Sequence, residues 1–347
     1  MVNRGGRFLV VALLALLAPR TGSAAPIEEG YFTAINGVEQ WITIRGRDQG
    51  NPILLFLHGG PGAALSGIGP LFARWEETFT VVQWDQPMSG ATYAKNIGKD
   101  MRPLTTDRYT RDGIAVIEHV LKKLAARKLV LMGASWGSEL GLTIANRRPD
   151  LIAAYVGTGQ AVSGTRGLAI GHDLALEAAR KRGDAAAVAA LERIGRPPYA
   201  TFDDFLVHAQ SVNQPGPTEM AALMKVAPVL FAPPPPDATY VPHGLPDVDP
   251  PKLLMDALRP LWKEESSFEA ASLGLEWKIP MYCFQGELDI TTPTVLAKEY
   301  FDAIKAPAKA FAVIPGAGHA TVFFPDELLR LLNTHVRPRV METKWVR

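Results

Sequence analysis

Four near-continuous apolar runs, PILLFLHGG, FTVVQWDQ, KLVLMGAS and IAAYVGTG, fall between residues 52 and 159, and each stops on a glycine or a polar residue. A strand with water on one face alternates apolar and polar side chains, so runs without alternation belong to strands covered on both faces. A parallel sheet layered between helices meets that condition, and helical patterns do lie between the runs. The clearest is DRYTRDGIAVIEHVLKKLAARK, where Ile114, Ile117, Val120, Leu121 and Leu124 recur at helical spacing and basic residues fill the last turn. Strands alternating with helices of this length predict βαβ units with right-handed crossovers. Ahead of them, YFTAING and EQWITIRG flank Asn36-Gly37, a dipeptide suited to a tight turn, so an antiparallel hairpin is expected to start the sheet.

The alternation fails from residue 161 to 270. DLALEAARKRGDAAAVAALERIG and TEMAALMKVA read as helices, and the stretch APPPPDATYVPHGLPDVDPP reads as a connector, because proline at that density fits neither helix interior nor central strand. The sheet pattern resumes in IPMYCFQG and KAFAVIPG, with the helical TPTVLAKEYFDAIKA between them. The expectation is a two-part core, residues 25–160 and 271–347, with a mostly helical cap at 161–270 inserted between strands six and seven.

Residues 1–24 are of another kind. Arg4 and Arg7 precede an apolar run from Phe8 to Ala18, then TGSAAP, which is the layout of a secretory signal peptide cleaved after Ala24. The run is too short to span a bilayer core of about 30 Å, so no stable membrane span is expected in the mature chain, which should be exported to the periplasm or the medium. Cys283 is the single cysteine, so an internal disulfide is impossible; within MYCF it reads as a small buried hydrophobe. Hydrophobic residues make up 47% of the chain and charged residues 20%, with a formal net charge of +1, which gives no polyanion-binding surface and excludes nucleic acid as an expected partner.

In open parallel sheets ligands bind beyond the carboxyl ends of the strands, so the residues just after the apolar runs carry the chemistry. KLVLMGASWGSELGL ends a strand on Gly133-Ala134-Ser135-Trp136-Gly137 and continues as a helix, the strand-to-helix context that a G-x-S-x-G nucleophile elbow requires. A serine nucleophile needs a base, and the base needs an orienting acid. His319 follows a predicted strand in AVIPGAGHA, whereas His119 and His335 lie in helical patterns and His172, His208 and His243 in the cap. Asp289 follows the other late strand in CFQGELD. HGGPG, residues 58–62, follows the third strand and offers unhindered backbone amides; Trp136 and Gly60 are assigned to an oxyanion hole, with Gly59 the weaker candidate. A dinucleotide loop would want glycine or alanine where Leu65 stands, and neither a P-loop lysine nor an H-E-x-x-H zinc motif is present. Glu139 lies one helical turn after Ser135 and could face the cleft, although a surface position or a helix-stabilising pair is the more ordinary reading.

Taken together, HGGPG, QWDQPMSG, GASWGS, QGELDITTP and GAGHA resemble the proline iminopeptidase-type branch of the α/β-hydrolases, peptidase family S33. The resemblance implies a triad of Ser135, Asp289 and His319, no cofactor, and release of an N-terminal residue, often proline, from a short peptide or other small amide. Two departures accompany it. The family's DQRGSG reads Asp85-Gln86-Pro87-Met88-Ser89-Gly90 here, and the tryptophan-and-glutamate cap segment with which those enzymes hold the substrate ammonium has no clear counterpart among residues 161–270. Glu264 and Glu265 are acidic residues of that region without an assigned role. The same machinery could serve small esters as a carboxylesterase or lipase-like enzyme, and a non-catalytic binding protein on this scaffold is a third reading. If His319 is the base, activity should rise with pH through roughly 6 to 7.

Overall fold

The computed structural model describes residues 25–230, 232 and 239–342. The leader expected at 1–24 and part of the proline-rich connector lie outside the described residues. Strands β1 (Ile27–Ile35) and β2 (Val38–Gly46) form the expected antiparallel hairpin, turning on Asn36 and Gly37, both with positive φ. They are followed by β3 (Ile53–Leu57), β4 (Thr80–Trp84), β5 (Leu129–Ala134), β6 (Ile152–Thr158), β7 (Met281–Gly286) and β8 (Lys309–Ile314). The eight strands make one sheet in the order β1-β2-β4-β3-β5-β6-β7-β8. It is parallel from β4 onward to β8, and β2 joins β4 antiparallel.

Helices α1 (Gly90–Lys95), α2 (Thr106–Lys123) and α3 (Trp136–Arg147) connect the early strands. Between β6 and β7 lie α4 (Gly164–Arg182), α5 (Ala185–Ile194), α6 (Phe202–Val212), α7 (Pro217–Leu230) and α8 (Pro250–Ser267), and α9 (Thr294–Ala303), α10 (Pro325–Leu331) and α11 (Arg337–Glu342) complete the core. Period-two alternation sends strand side chains to opposite faces. Leu55 and Leu57 pack with Ile117, Leu140 and Phe301 on the face of α2, α3 and α9, while Leu54 and Phe56 pack with Trp75, Leu328 and Leu332 on the other. Both faces are buried, which is why these strands carry no polar alternation, and each fully buried leucine or isoleucine contributes about 1.5–3 kcal/mol.

Two readings of the cap are corrected by the structure. The long helical pattern from Asp173 is broken where Gly183 takes a left-handed conformation and Asp184 caps α5 through the Ala187 N–H. The connector expected through Pro251 ends earlier, because Asp249 accepts from the Lys252 N–H and Pro250 and Pro251 start α8, where a missing N–H costs nothing. Tyr199, Phe202, Phe205, Leu258 and Trp262 form a separate core for α4, α5, α6 and α8. The connector returns to the sheet through Tyr240, whose carbonyl accepts from Trp41 Nε1 and whose ring stacks on the Arg45 guanidinium.

Candidate active site

Ser135 sits between β5 and α3 with φ +54° and ψ −125°, a conformation that costs about 1–3 kcal/mol and persists only under surrounding constraint. The glycines supply that constraint. A Cβ at Gly133 would fall onto the Gly137 carbonyl, and one at Gly137 onto the Leu57 carbonyl, so only glycine lets α3 start this close to β3 and β5. The turn projects Ser135 Oγ to 2.8 Å from His319 Nε2.

His319 follows β8, and its Nδ1 lies 3.0 Å from Asp289 Oδ2 and 3.2 Å from Oδ1. Asp289 is itself fixed from several sides. Its Oδ1 accepts from the N–H groups of Thr291 and Thr292, and its Oδ2 from Gln285 Nε2 and Thr292 Oγ1. Burial alone would lower the proton affinity of His319, but the charge and hydrogen bond of Asp289, with the charge of Glu219, outweigh it and hold the imidazole above its ordinary value.

The structure places the two amides assigned to anion binding at the same cavity. Trp136 is the first residue of α3, so its N–H is one of those without an acceptor inside the helix. Gly60 is positioned by His58. The Gly59 carbonyl accepts from His58 Nδ1 at 2.8 Å and from the Ala63 N–H at 3.2 Å. In the planar trans peptide that follows, the Gly60 N–H must point the opposite way. His58 Nε2 accepts from the Gln86 N–H, and burial, partly countered by the bond to Gly59, pushes this histidine down to about 4, so it stays neutral. Gln86 also donates to the His58 carbonyl and accepts from Trp136 Nε1, tying the loops after β3, β4 and β5 into one unit. Pro87, where the family pattern has arginine, offers its carbonyl to the Tyr109 hydroxyl.

The cavity above Ser135 has a volume of about 560 Å³ and is lined mostly by apolar surface from core and cap together, the cap supplying Leu168, Phe205, Leu254 and Leu258 among others. Two carboxyl groups break that lining. Glu139 is 3% exposed and faces the cavity, which corrects the expectation of a surface position. Glu265, on α8, reaches the same cavity with Oε1 buried and unbonded. Neither carboxyl has a hydrogen-bond or ion-pair partner among the described residues. Burial, reinforced by Glu264, pushes Glu139 up to about 8; burial, then Glu139 and Glu264, pushes Glu265 well above the usual carboxylate range. Sequence reasoning missed Glu265 because α8 was not recognised, although Asp249-Pro250-Pro251 and the spacing of Leu253, Ala257 and Leu261 signal that helix. Cys283 is fully buried in β7, with burial and the nearby Asp289 pushing its thiol up.

The profile of the α/β hydrolase fold matches residues 52–326. The chain belongs to the α/β-hydrolase family. Relatives of this hydrolase include the probable aminopeptidase YbaC of Bacillus subtilis (strain 168), 29% identical over 330 residues, covering 92% of this chain and 99% of that protein. The proline iminopeptidase of Neisseria gonorrhoeae is 31% identical over 131 residues, 38% of this chain and 39% of its own length. Among solved structures, a proline iminopeptidase-related protein from Thermus thermophilus superposes with a TM-score of 0.58 at 18% identity, covering 90% of this chain and 99% of its own. The proline iminopeptidase of Mycobacterium smegmatis gives 0.56 at 20% identity, covering 91% and 100%. Both likenesses bear on the fold.

Proposed function

We propose that this hydrolase is an exported serine aminopeptidase of the proline iminopeptidase type, acting on short peptides or small amides with a free N-terminal amine. Ser135 Oγ attacks the scissile carbonyl and its proton passes to His319 Nε2 as the C–O bond forms. The carbonyl oxygen, now negative, is met by the N–H groups of Gly60 and Trp136. His319 returns the proton to the leaving amine as the C–N bond breaks, leaving an acyl group on Ser135. Water, deprotonated by His319, then releases the N-terminal residue and restores the serine. Asp289 holds the imidazole in the tautomer with Nδ1 protonated and balances its charge in between.

The observation that carries the amine-dependent reading is the unpartnered pair of Glu139 and Glu265. A buried carboxylate without a counter-charge costs several kcal/mol, and here the pair avoids that cost by keeping protons. An ammonium arriving with the substrate supplies the missing charge one helical turn from the nucleophile. Relatives named aminopeptidase and proline iminopeptidase support the same reading. The apolar cap lining favours an ester or lipid-like substrate as the alternative.

Paired arylamides and aryl esters, each with a free and an N-acetylated amine, separate the two. Cleavage of free prolyl or alanyl amides, abolished by acetylation, supports the aminopeptidase; turnover of esters alone, indifferent to the amine, replaces it with the esterase. Ser135→Ala should lose roughly 10⁴–10⁶ in kcat in either case. Export rests on residues 1–24 alone, and a mature N-terminus at Ala25 on the secreted protein would support it.

A further inference from the structure

Helix α7 is rich in apolar residues yet buries only the side chains of Glu219 and Val226. Its Met220 and Met224 are exposed, and none of its residues joins the hydrophobic clusters of the core or of the other cap helices. Burial of an apolar face normally holds an amphipathic helix in place. In α7 a carboxylate takes a share of that task. Glu219, 5% exposed, accepts a 2.7 Å hydrogen bond through Oε1 from the Ala320 N–H, the residue after His319. On the other side of His319, Gly318 lies so close that a Cβ there would overlap Glu219 Oε2, and Gly316 is packed in the same way against Thr218. The two glycines of GAGHA therefore make a cradle for the first turn of α7.

We infer that Glu219 is a positioning residue through which the seating of α7 sets the placement and charge environment of His319. Among the described residues, the charged groups that act on His319 are Asp289, from the loop after β7, and Glu219, from α7; Ser135 and Thr292 bring hydroxyls. The Asp289 carboxylate is held by Gln285, Thr291 and Thr292, independently of α7. Glu219 is not, so lifting α7 withdraws one of the two carboxylates and frees the 316–320 backbone at once. The triad is then fully assembled only when this part of the cap is down.

The inference rests on the reading of Ser135 and His319 as nucleophile and base, and its test does not require the natural substrate. The rate at which a fluorophosphonate labels Ser135 is measured from pH 5 to 9 in the wild type, Glu219→Gln and Glu219→Ala. Glutamine keeps an acceptor for the Ala320 N–H but not the charge, so the labelling midpoint should move down, and at pH 5.5 the variant should keep roughly two- to threefold more of its own plateau than the wild type. Alanine removes the acceptor too, and its plateau should fall by a further factor of about ten that glutamine restores. A glutamine profile superimposable on the wild type overturns the inference, as do equal plateau losses in both variants. A wild type that does not label overturns the nucleophile reading, and this inference with it.

Discussion

Ser135 Oγ and His319 Nε2 lie 2.8 Å apart although 184 residues separate them in sequence. The sheet order closes that gap, since β5 carries the serine, β8 the histidine and β7, between β6 and β8, the aspartate. One proton can then pass between groups held by different strands.

The pH dependence follows from that contact. As the proposed base, His319 must be neutral to accept the serine proton, and Asp289 with Glu219 holds it above its ordinary value despite burial. The acid limb of kcat/KM is therefore expected to have its midpoint above 6.5, higher than the sequence alone suggests. A profile flat between pH 5 and 9 would remove His319 from the role.

Substrate selection should pass through the two carboxyls. In Glu139→Gln and in Glu265→Gln, the ratio of kcat/KM for a free-amine arylamide to that for its N-acetylated form should fall on the order of 10–100-fold. Competition by butylammonium but not by butanol in the wild type would report the same charge without a mutation. An unchanged ratio in both variants would leave the pair without a part in recognition.

Those groups also tie stability to pH. Glu139 rises from an ordinary value of 4.5 to about 8 on folding, so between those limits the folded state holds a proton that the unfolded chain does not. Its stabilising effect is full below 4.5 and is lost as pH rises toward 8, at up to about 1.4 kcal/mol per pH unit. The melting temperature of the free enzyme should decline over that window, and the decline should flatten in Glu139→Gln. Equal slopes would show that Glu139 ionises normally.

At the elbow, Gly137→Ala should lower the urea midpoint, since the new methyl meets the Leu57 carbonyl. Overpacking of this kind costs about 1–3 kcal/mol, and here it also displaces the serine. Slower fluorophosphonate labelling of the folded variant is the second expected readout.

Much of this architecture was legible in the chain. Unbroken apolar runs marked strands covered on both faces, and GASWGS, GELD and GAGHA each stood at a strand end, which is where the structure brings Ser135, Asp289 and His319 together. What escaped was decided by tertiary contact. A glutamate one turn after Ser135 looks the same in sequence whether it meets water or a cavity roof, and the roof comes from α8. That helix was hidden behind prolines which, at its first turn, do it no harm. Glu219 was invisible for a related reason: no local pattern says that its partner is an amide 101 residues away.

Strand β8 lies at the rim of the sheet, bonded to β7 alone, and most of its residues are only partly covered. The proposed base thus hangs from a rim strand, while the proposed nucleophile hangs from an interior one. Fraying of a single rim segment would strip the proton acceptor away with the rest of the fold standing. On gentle heating, activity would fade before helicity does, and cooling would bring it back.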